Sequence, residues 1–293
     1  MEYRSFGKTG ITVSVLGFGA GHTGDPNQDE RIVERMINDL PELGINLIDT
    51  ARSYGESEYR IGKFLSHRRS EFILSTKVGY TYQDKPDWSY EATLGTVEES
   101  LIRLKTDYID IVHLHSCEKW VLERGEAILA LEKAREQGKI RVIAYSGEND
   151  ALAYAIESKR FGSIQCSVNL FDQKCLEWAL PEASALGMGI IAKRPIGNAV
   201  WSYHSRPDGH GHAAYYDRFH KMKPDAHGLS WNELALRFSA FTPNVSSIIT
   251  GTSSIEHLKE NISFLEKGEL PLSLIAQIRN SFTDVGINWE GLI

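Results

Sequence analysis

Cysteine is scarce in this chain. The three cysteines in 293 residues, Cys117, Cys166 and Cys175, are odd in number and show no CxxC spacing, which argues against a disulfide framework or a structural zinc site. Long apolar runs are missing as well: nowhere do 18 or more apolar residues follow one another, and Met1 to Phe6 lack the apolar stretch of a secretory signal. Together these absences point to a reducing cytoplasm and away from any membrane. Nor is there a surplus of positive charge. The balance of 32 basic against 39 acidic residues leaves a net −7, which opposes a nucleic-acid footprint and requires any anion site to be made locally.

What the chain does have is a repeating alternation. With 42% hydrophobic residues it can bury a large core, and α/β barrels of this length commonly form one domain, here expected over 1–293. Helical periodicity runs through Glu30 to Leu43, Ser57 to Ser66, Tyr90 to Leu104, Gly125 to Gln137, Asp150 to Lys159, Leu176 to Leu186, Trp231 to Phe241 and Ile255 to Leu265. Short apolar runs at Val13 to Gly19, Leu47-Ile48, Phe72 to Leu74, Ile109 to Val112, Ile140 to Ala144, Ile164 to Val168, Met188 to Ala192 and Ser247 to Ile249 read as strands. Eight strands each followed by a helix predict a closed parallel (β/α)8 TIM barrel with right-handed crossovers. Tyr3 to Val13 reads as an N-terminal β-hairpin before the barrel. Ser89, Ser230 and Ser254 are expected to cap helix starts, and Gly44, Gly138, Gly162 and Gly187 to close helix ends. Pro41 should kink or shorten the first helix. Residues 196–228, after the seventh strand, make a connection too long to be ordinary, and Leu272 to Thr283 reads as an added C-terminal helix.

Three successive strand ends carry chemistry. The run Asn46-Leu47-Ile48-Asp49 delivers a carboxylate, and Tyr54 follows in the next loop just before Gly55. Phe72 to Lys77 ends on a lysine, and Ile109 to His115 ends on a histidine. Parallel neighbours would bring all four groups to one rim. His113 faces the same side as His115, and the rimward His115 is the chosen one.

Set in DTARSYG, STKVG and DYIDIVHLHS, the residues Asp49, Tyr54, Lys77 and His115 resemble the tetrad of the aldo-keto reductases. YRSFGKTGITVSVLGFGAG and ITGTSSIEHLKEN extend the likeness from end to end. The resemblance implies a nicotinamide-dependent carbonyl reductase on a (β/α)8 barrel. A carbonyl that accepts hydride develops negative charge on oxygen, so the site needs a proton donor and positive charge there. Tyr54 would give the proton, Lys77 would favour its phenolate, Asp49 would hold Lys77, and His115 would hydrogen-bond the oxygen. The glycines of GFGAGHTG lack the GxGxxG spacing of a Rossmann fingerprint.

The same resemblance places cofactor contacts. Ser146 and Gln165, with Asn169 close behind, match the family's carboxamide contacts, although Gly147 stands where the family usually has asparagine. Lys193 stands where the family has an aromatic that stacks on the nicotinamide, and it or Arg194 could face a phosphate instead. Gly251, Thr252, Ser253 and Ser254, leading into a helix start, form the expected anion site. Ser253 and His257 occupy positions that are commonly basic in the family, while Glu260 and Asn261 match its adenine contacts. NADP is the expected cofactor and NAD the alternative.

The function this predicts is an NADP(H)-dependent oxidoreductase acting on a small aldehyde, ketone or sugar, without nucleic-acid or membrane partners. An alternative is a cofactor-binding regulatory subunit similar to the potassium-channel β subunits, against which the intact tetrad and the lack of a long N-terminal extension count. A Schiff-base lyase using Lys77 is a third reading. His204, His210, His212, His220 and His227 fit no metal spacing and read as a solvated, flexible loop, so no metal is expected. Cys117 reads as pocket-lining. The sequence leaves oligomeric state and substrate identity open.

Overall fold

The computed structural model describes all residues 1–293. A small antiparallel hairpin, β1 (Tyr3–Ser5) with β2 (Thr12–Ser14), precedes the barrel. The barrel strands are β3 (Leu16–Gly19), β4 (Leu47–Asp49), β5 (Ile73–Val78), β6 (Ile109–His115), β7 (Ile140–Ser146), β8 (Ser163–Ser167), β9 (Gly189–Lys193) and β10 (Ser247–Thr250). All neighbours are parallel and β10 pairs with β3, so the ring closes as the sequence predicts.

The hairpin closes the floor of that ring. Phe6, Ile11 and Val13 pack against Leu47, Ile111, Val142, Ala144 and Ile191, the inward side chains at the lower ends of the strands. Gly189 has no room for a side chain because a Cβ there would stand 2.5 Å from the Phe6 ring. Full burial of an aromatic such as Phe6 contributes about 1.5–3 kcal/mol. The opposite end, where the strands finish, is left open.

Register determines what stands at that open end. Asp49 lies opposite Ser75, Lys77 opposite His113, His115 opposite Ser146, and Ser146 opposite Gln165. From β4 to β5 and from β5 to β6, the next functional residue lies two places beyond its partner. Side chains two apart on a strand share a face, so the tilt of the strands turns these residues into a spiral around the inner wall.

Several boundaries differ from the sequence reading. The run expected to be one strand from Val13 to Gly19 breaks at Val15, whose N–H bonds to the Glu2 carbonyl at 2.9 Å while its own carbonyl accepts from Ile248. Its first half belongs to the hairpin and its second half to the barrel. Helix α1 (Glu30–Asp39) stops two residues short of Pro41, and Asp29 caps it by accepting from Arg31 N. Helix α2 spans Ser57–Leu65 and α3 spans Tyr90–Leu104. A short helix that the sequence reading missed, α4 (Lys119–Arg124), precedes α5 (Glu126–Glu136). Further on come α6 (Asn149–Glu157) and α7 (Ala179–Ala185). Gly44, Gly138 and Gly187 take the positive φ expected of helix ends, but Gly162 does not; Lys159 holds the left-handed turn after α6 instead.

The segment 196–228 is structured. It contains a 3-10 turn at Gly197–Ser202 and α8 (His210–Met222), so His210, His212 and His220 lie on a helix and not in a flexible loop. It packs with α9 (Trp231–Ala240) and the C-terminal helix α11 (Leu272–Gly286) into a second core built on Phe171, Tyr215, Leu234, Phe238 and Phe282. Helix α10 (Ile255–Leu265) follows β10. Ser89, Ser230 and Ser254 cap α3, α9 and α10 as expected. No helix is long and apolar enough to cross a membrane.

Candidate active site

At the open end of the barrel lies a cavity of about 560 Å³ whose walls include Asp49, Tyr54, Lys77 and His115. The structure thus brings together the four residues read from three strand ends. Lys77 Nζ sits 2.5 Å from Asp49 Oδ2 and donates to the Thr50 carbonyl at 2.8 Å. Both side chains are 3% exposed, so water scarcely screens the pair. Burial on its own would push the Lys77 ammonium towards neutrality. The Asp49 charge and the Tyr54 phenol outweigh it, and the lysine titrates above its ordinary value. Asp49 behaves in mirror image: burial would raise it, but Lys77, together with His113 and the hydroxyl of Ser75, holds it below the ordinary carboxylate range. The pair is therefore ionic.

Asp49 has further donors. Ser75 Oγ–H donates to Oδ1 at 2.7 Å and Gln165 Nε2 donates to the same oxygen at 2.9 Å. Because the Ser75 proton is spent on Asp49, His113 Nε2, 3.0 Å from Ser75 Oγ, must be the donor in that contact. His113 is fully buried beneath the site, whereas His115 lines the cavity. Burial, followed by the Lys77 and Lys193 charges, depresses His115 to about 3. It is a neutral imidazole at physiological pH.

Tyr54 reaches the site from the turn after β4. Its N–H bonds to Ala51 O, and Gly55, at φ +49°, lies so close to Gly24 that a Cβ would meet the Gly24 carbonyl at 2.3 Å. The Tyr54 ring stands edge-on to His115, centroids 6.0 Å apart, and Lys77 Nζ lies 5.0 Å from its centroid. A phenol, an ammonium and a neutral imidazole thus converge on one space.

The residues matched to cofactor contacts divide into three groups. Ser146 and Gln165 line the cavity wall and bond to each other, Ser146 Oγ donating to Gln165 Oε1 at 3.0 Å. Lys193 and Arg194 also line it, but each has a protein partner. Lys193 Nζ lies 3.1 Å from the buried Glu148, and Arg194 Nη1 donates to the Leu292 carbonyl at 2.5 Å. Gly251 forms the cavity edge, followed by Thr252 and Ser253. Thr252 Oγ1 lies 3.1 Å from His257 Nδ1, and Ser254 accepts from His257 N. Ser253, His257 and Glu260 are exposed on the outer side and Asn261 is half-buried.

Neighbouring residues clarify the remainder. Asn169 is not open to a ligand: its amide donates to Arg194 O and Tyr215 and accepts from Phe171 N and Asp172 N. Cys117, expected to line the pocket, is buried in the core, and burial pushes its thiol up to about 12; Ser116 faces the cavity in its place. Gly147 is required by packing, since a Cβ would meet the Tyr145 hydroxyl at 2.3 Å, so no asparagine fits there. Sequence reasoning missed Glu148, Ser75 and Tyr80, although all three lie within three residues of positions it did choose.

A nicotinamide dinucleotide suits these surroundings. Thr250 Oγ1 is buried on the cavity wall without a partner, and a Cβ on Gly251 would press on Gly19 O at 3.0 Å, so this edge is packed tightly enough to favour bare backbone. The first turn of α10 presents its N–H groups nearby. Glu256 in that turn is held below its ordinary range by its own backbone N–H and by Ser254, with the charges of Lys259 and Arg35 adding to the effect.

Comparison with known proteins agrees with this geometry. The family model described as Aldo/keto reductase family matches residues 15–281, and the chain belongs to that family of oxidoreductases. An L-galactose dehydrogenase of Arabidopsis thaliana is 31% identical over 283 residues, covering 90% of this chain and 88% of the relative. A D-threo-aldose 1-dehydrogenase of a Pseudomonas species is 26% identical, covering 92% and 94%. Among solved structures, an aldo-keto reductase from Bacillus halodurans in its holo form superposes with a TM-score of 0.81 at 28% identity, covering 96% of each chain.

Proposed function

We propose that this protein is an NADP(H)-dependent oxidoreductase that interconverts a carbonyl and an alcohol on a small aldehyde, ketone or sugar, with Tyr54 as general acid and base. The observation that carries the reading is the ionic Asp49–Lys77 pair set against the Tyr54 ring beside a neutral His115. In the reductive direction Tyr54 gives its proton to the substrate oxygen, and the Lys77 ammonium stabilises the phenolate that is left. Asp49 keeps Lys77 charged and in place. His115, neutral and so able to donate without repelling Lys77, hydrogen-bonds the same oxygen. In the oxidative direction the Tyr54 phenolate takes the proton back.

The nicotinamide, when bound, supplies or accepts the hydride. Ser146 and Gln165 would hold its carboxamide. Gly251, Thr252, Ser253 and His257 would take the phosphates at the start of α10, and Glu260 and Asn261 the adenine. Lys193 and Arg194 add positive charge to the same cavity. Ser253, Ser254 and Lys259, at the start of α10, would bind the 2'-phosphate of the phosphorylated cofactor. Both dehydrogenase relatives bear aldose names, and His22, Asn198 and His212, which line the cavity apart from the residues given to the cofactor, would hydrogen-bond sugar hydroxyls. An aldose is therefore the favoured substrate.

Fluorescence-quenching titration with NADPH and NADH, followed by a screen of aldoses and simple carbonyls with the tighter cofactor, tests this. Tighter NADPH binding and turnover of an aldose are expected. Cofactor binding without turnover across the whole panel would favour the regulatory-subunit reading, and binding of neither cofactor would remove the proposal.

A further inference from the structure

A second phenol stands behind the catalytic imidazole. The Tyr80 hydroxyl lies 2.7 Å from His115 Nδ1 and 2.9 Å from Ser53 Oγ. Its position is closely determined. Gly79 adopts φ +126°, and the Trp88 ring fills the place where a Cβ at 79 would stand, 2.1 Å from that point. The Trp88 N–H bonds to Gly79 O at 2.6 Å, and the Tyr80 ring rests on the indole with centroids 5.3 Å apart. The hydroxyl is thus aimed at the imidazole by a built support and does not swing freely.

A neutral imidazole carries one N–H. The protein engages His115 through Nδ1, which leaves Nε2 to the cavity that the residue lines. The Tyr80 hydroxyl likewise has one proton, and it has two acceptors within reach. Given to Ser53, that proton leaves Nδ1 to carry the ring hydrogen, and Nε2 presents a bare lone pair that repels a carbonyl oxygen. Given to Nδ1, it places the ring hydrogen on Nε2, which then donates to that oxygen.

We propose that Tyr80 is a positioning residue that selects the His115 tautomer, turning its hydroxyl proton from Ser53 to Nδ1 so that Nε2–H faces the substrate oxygen. The proposal rests on the reading of His115 as the group at that oxygen. The Tyr80 and Ser53 hydroxyls keep their own protons; the ring gives its Nδ1 proton to solvent and takes one up at Nε2 from the open cavity, one N–H bond breaking as the other forms with no net change of charge. Ser53 acts as the competing acceptor.

The test is nitrogen NMR of histidine-labelled protein loaded with oxidised NADP, with His115 assigned by its absence in His115→Gln, alongside steady-state reduction of glyceraldehyde. In wild type, His115 should show Nε2 protonated and Nδ1 as acceptor. In Tyr80→Phe the two nitrogens should move towards averaged shifts, and kcat should fall about tenfold or more with the NADPH dissociation constant changed less than about twofold. Ser53→Ala, which leaves Tyr80 only Nδ1, should keep or increase the Nε2–H signature. Unchanged His115 shifts in Tyr80→Phe would overturn the proposal whatever the activity does, and so would altered shifts with full activity. Should Tyr80→Phe not fold, the Ser53→Ala spectrum decides, a move towards Nδ1–H being the refuting result. The spectra need no turnover, so a failure of the reductase reading is seen separately.

Discussion

Replacing Lys77 by methionine separates what the buried ion pair does for stability from what it does for chemistry. The substitution keeps an unbranched chain one heavy atom shorter and removes the charge, leaving Asp49, 2% exposed, without its counter-ion. Breaking a buried pair from one side costs about 3–5 kcal/mol. Asp49 would still accept from Ser75 at 2.7 Å and Gln165 at 2.9 Å, and bonds to a charged group contribute about 1.5–3 kcal/mol each, so the low end, about 3 kcal/mol, is expected. The sign with pH follows from Asp49. In wild type its lowered value adds stability above the ordinary 3.8, lost as pH falls through the folded value. In Lys77→Met burial outweighs the remaining hydrogen bonds from Ser75 and Gln165, the folded value rises above 3.8, and the deficit shrinks on acidification. The double variant Asp49→Asn, Lys77→Met should regain about 2 kcal/mol because no buried charge is left, yet it should stay inactive because the phenol has lost its ammonium. Urea unfolding at neutral pH and at pH about 5, with turnover measured on the same samples, reads all of this. A Lys77→Met protein within about 1 kcal/mol of wild type, or a double variant no more stable than the single, would refute the reasoning.

His113 gives a second stability test: its folded value is pushed down to about 3 by burial, against 6.5 ordinarily. Such a group stabilises the fold above 6.5 and loses that contribution as pH falls, because the unfolded chain takes up the proton first. At pH 5 the loss is about 2 kcal/mol per depressed histidine, so His113→Leu should lose about 2 kcal/mol less stability than wild type between pH 7 and pH 5, measured by urea midpoints. Glu148→Gln should release Lys193, now paired at 3.1 Å, and change the NADPH dissociation constant in fluorescence titration while leaving urea stability within about 2 kcal/mol.

The strand ends were readable because β-strands are short apolar runs and because parallel pairing puts their last residues at one rim. Asp49 and Lys77 needed only that rule, whereas His113 and His115 share a face, and it takes the rimward place and the family motif together to point to His115. The break at Val15 was not readable, since what ends the hairpin strand there is the N–H bond of Val15 to Glu2 and not a turn residue. Helix α8 was hidden by the glycine, histidine and proline composition of residues 196–228, and only the second core under Phe171 and Phe282 makes it a helix. Partners were the least legible of all. Tyr80 and His115 are 35 positions apart and Gln165 and Asp49 are 116 apart; barrel register brings the second pair together, and the Gly79–Trp88 turn beyond β5 brings the first. The family likeness pointed to Lys193 as a departure, but not to Glu148 as the residue that holds it.

Single-turnover transfer of hydride from bound NADPH to a carbonyl substrate, followed by cofactor absorbance in wild type and Tyr54→Phe, examines the acid most directly. Loss of the transfer step by about a hundredfold or more, with NADPH binding unchanged, is the expected outcome. A Tyr54→Phe protein that passes the hydride at the wild-type rate would contradict the assignment of the proton to this phenol.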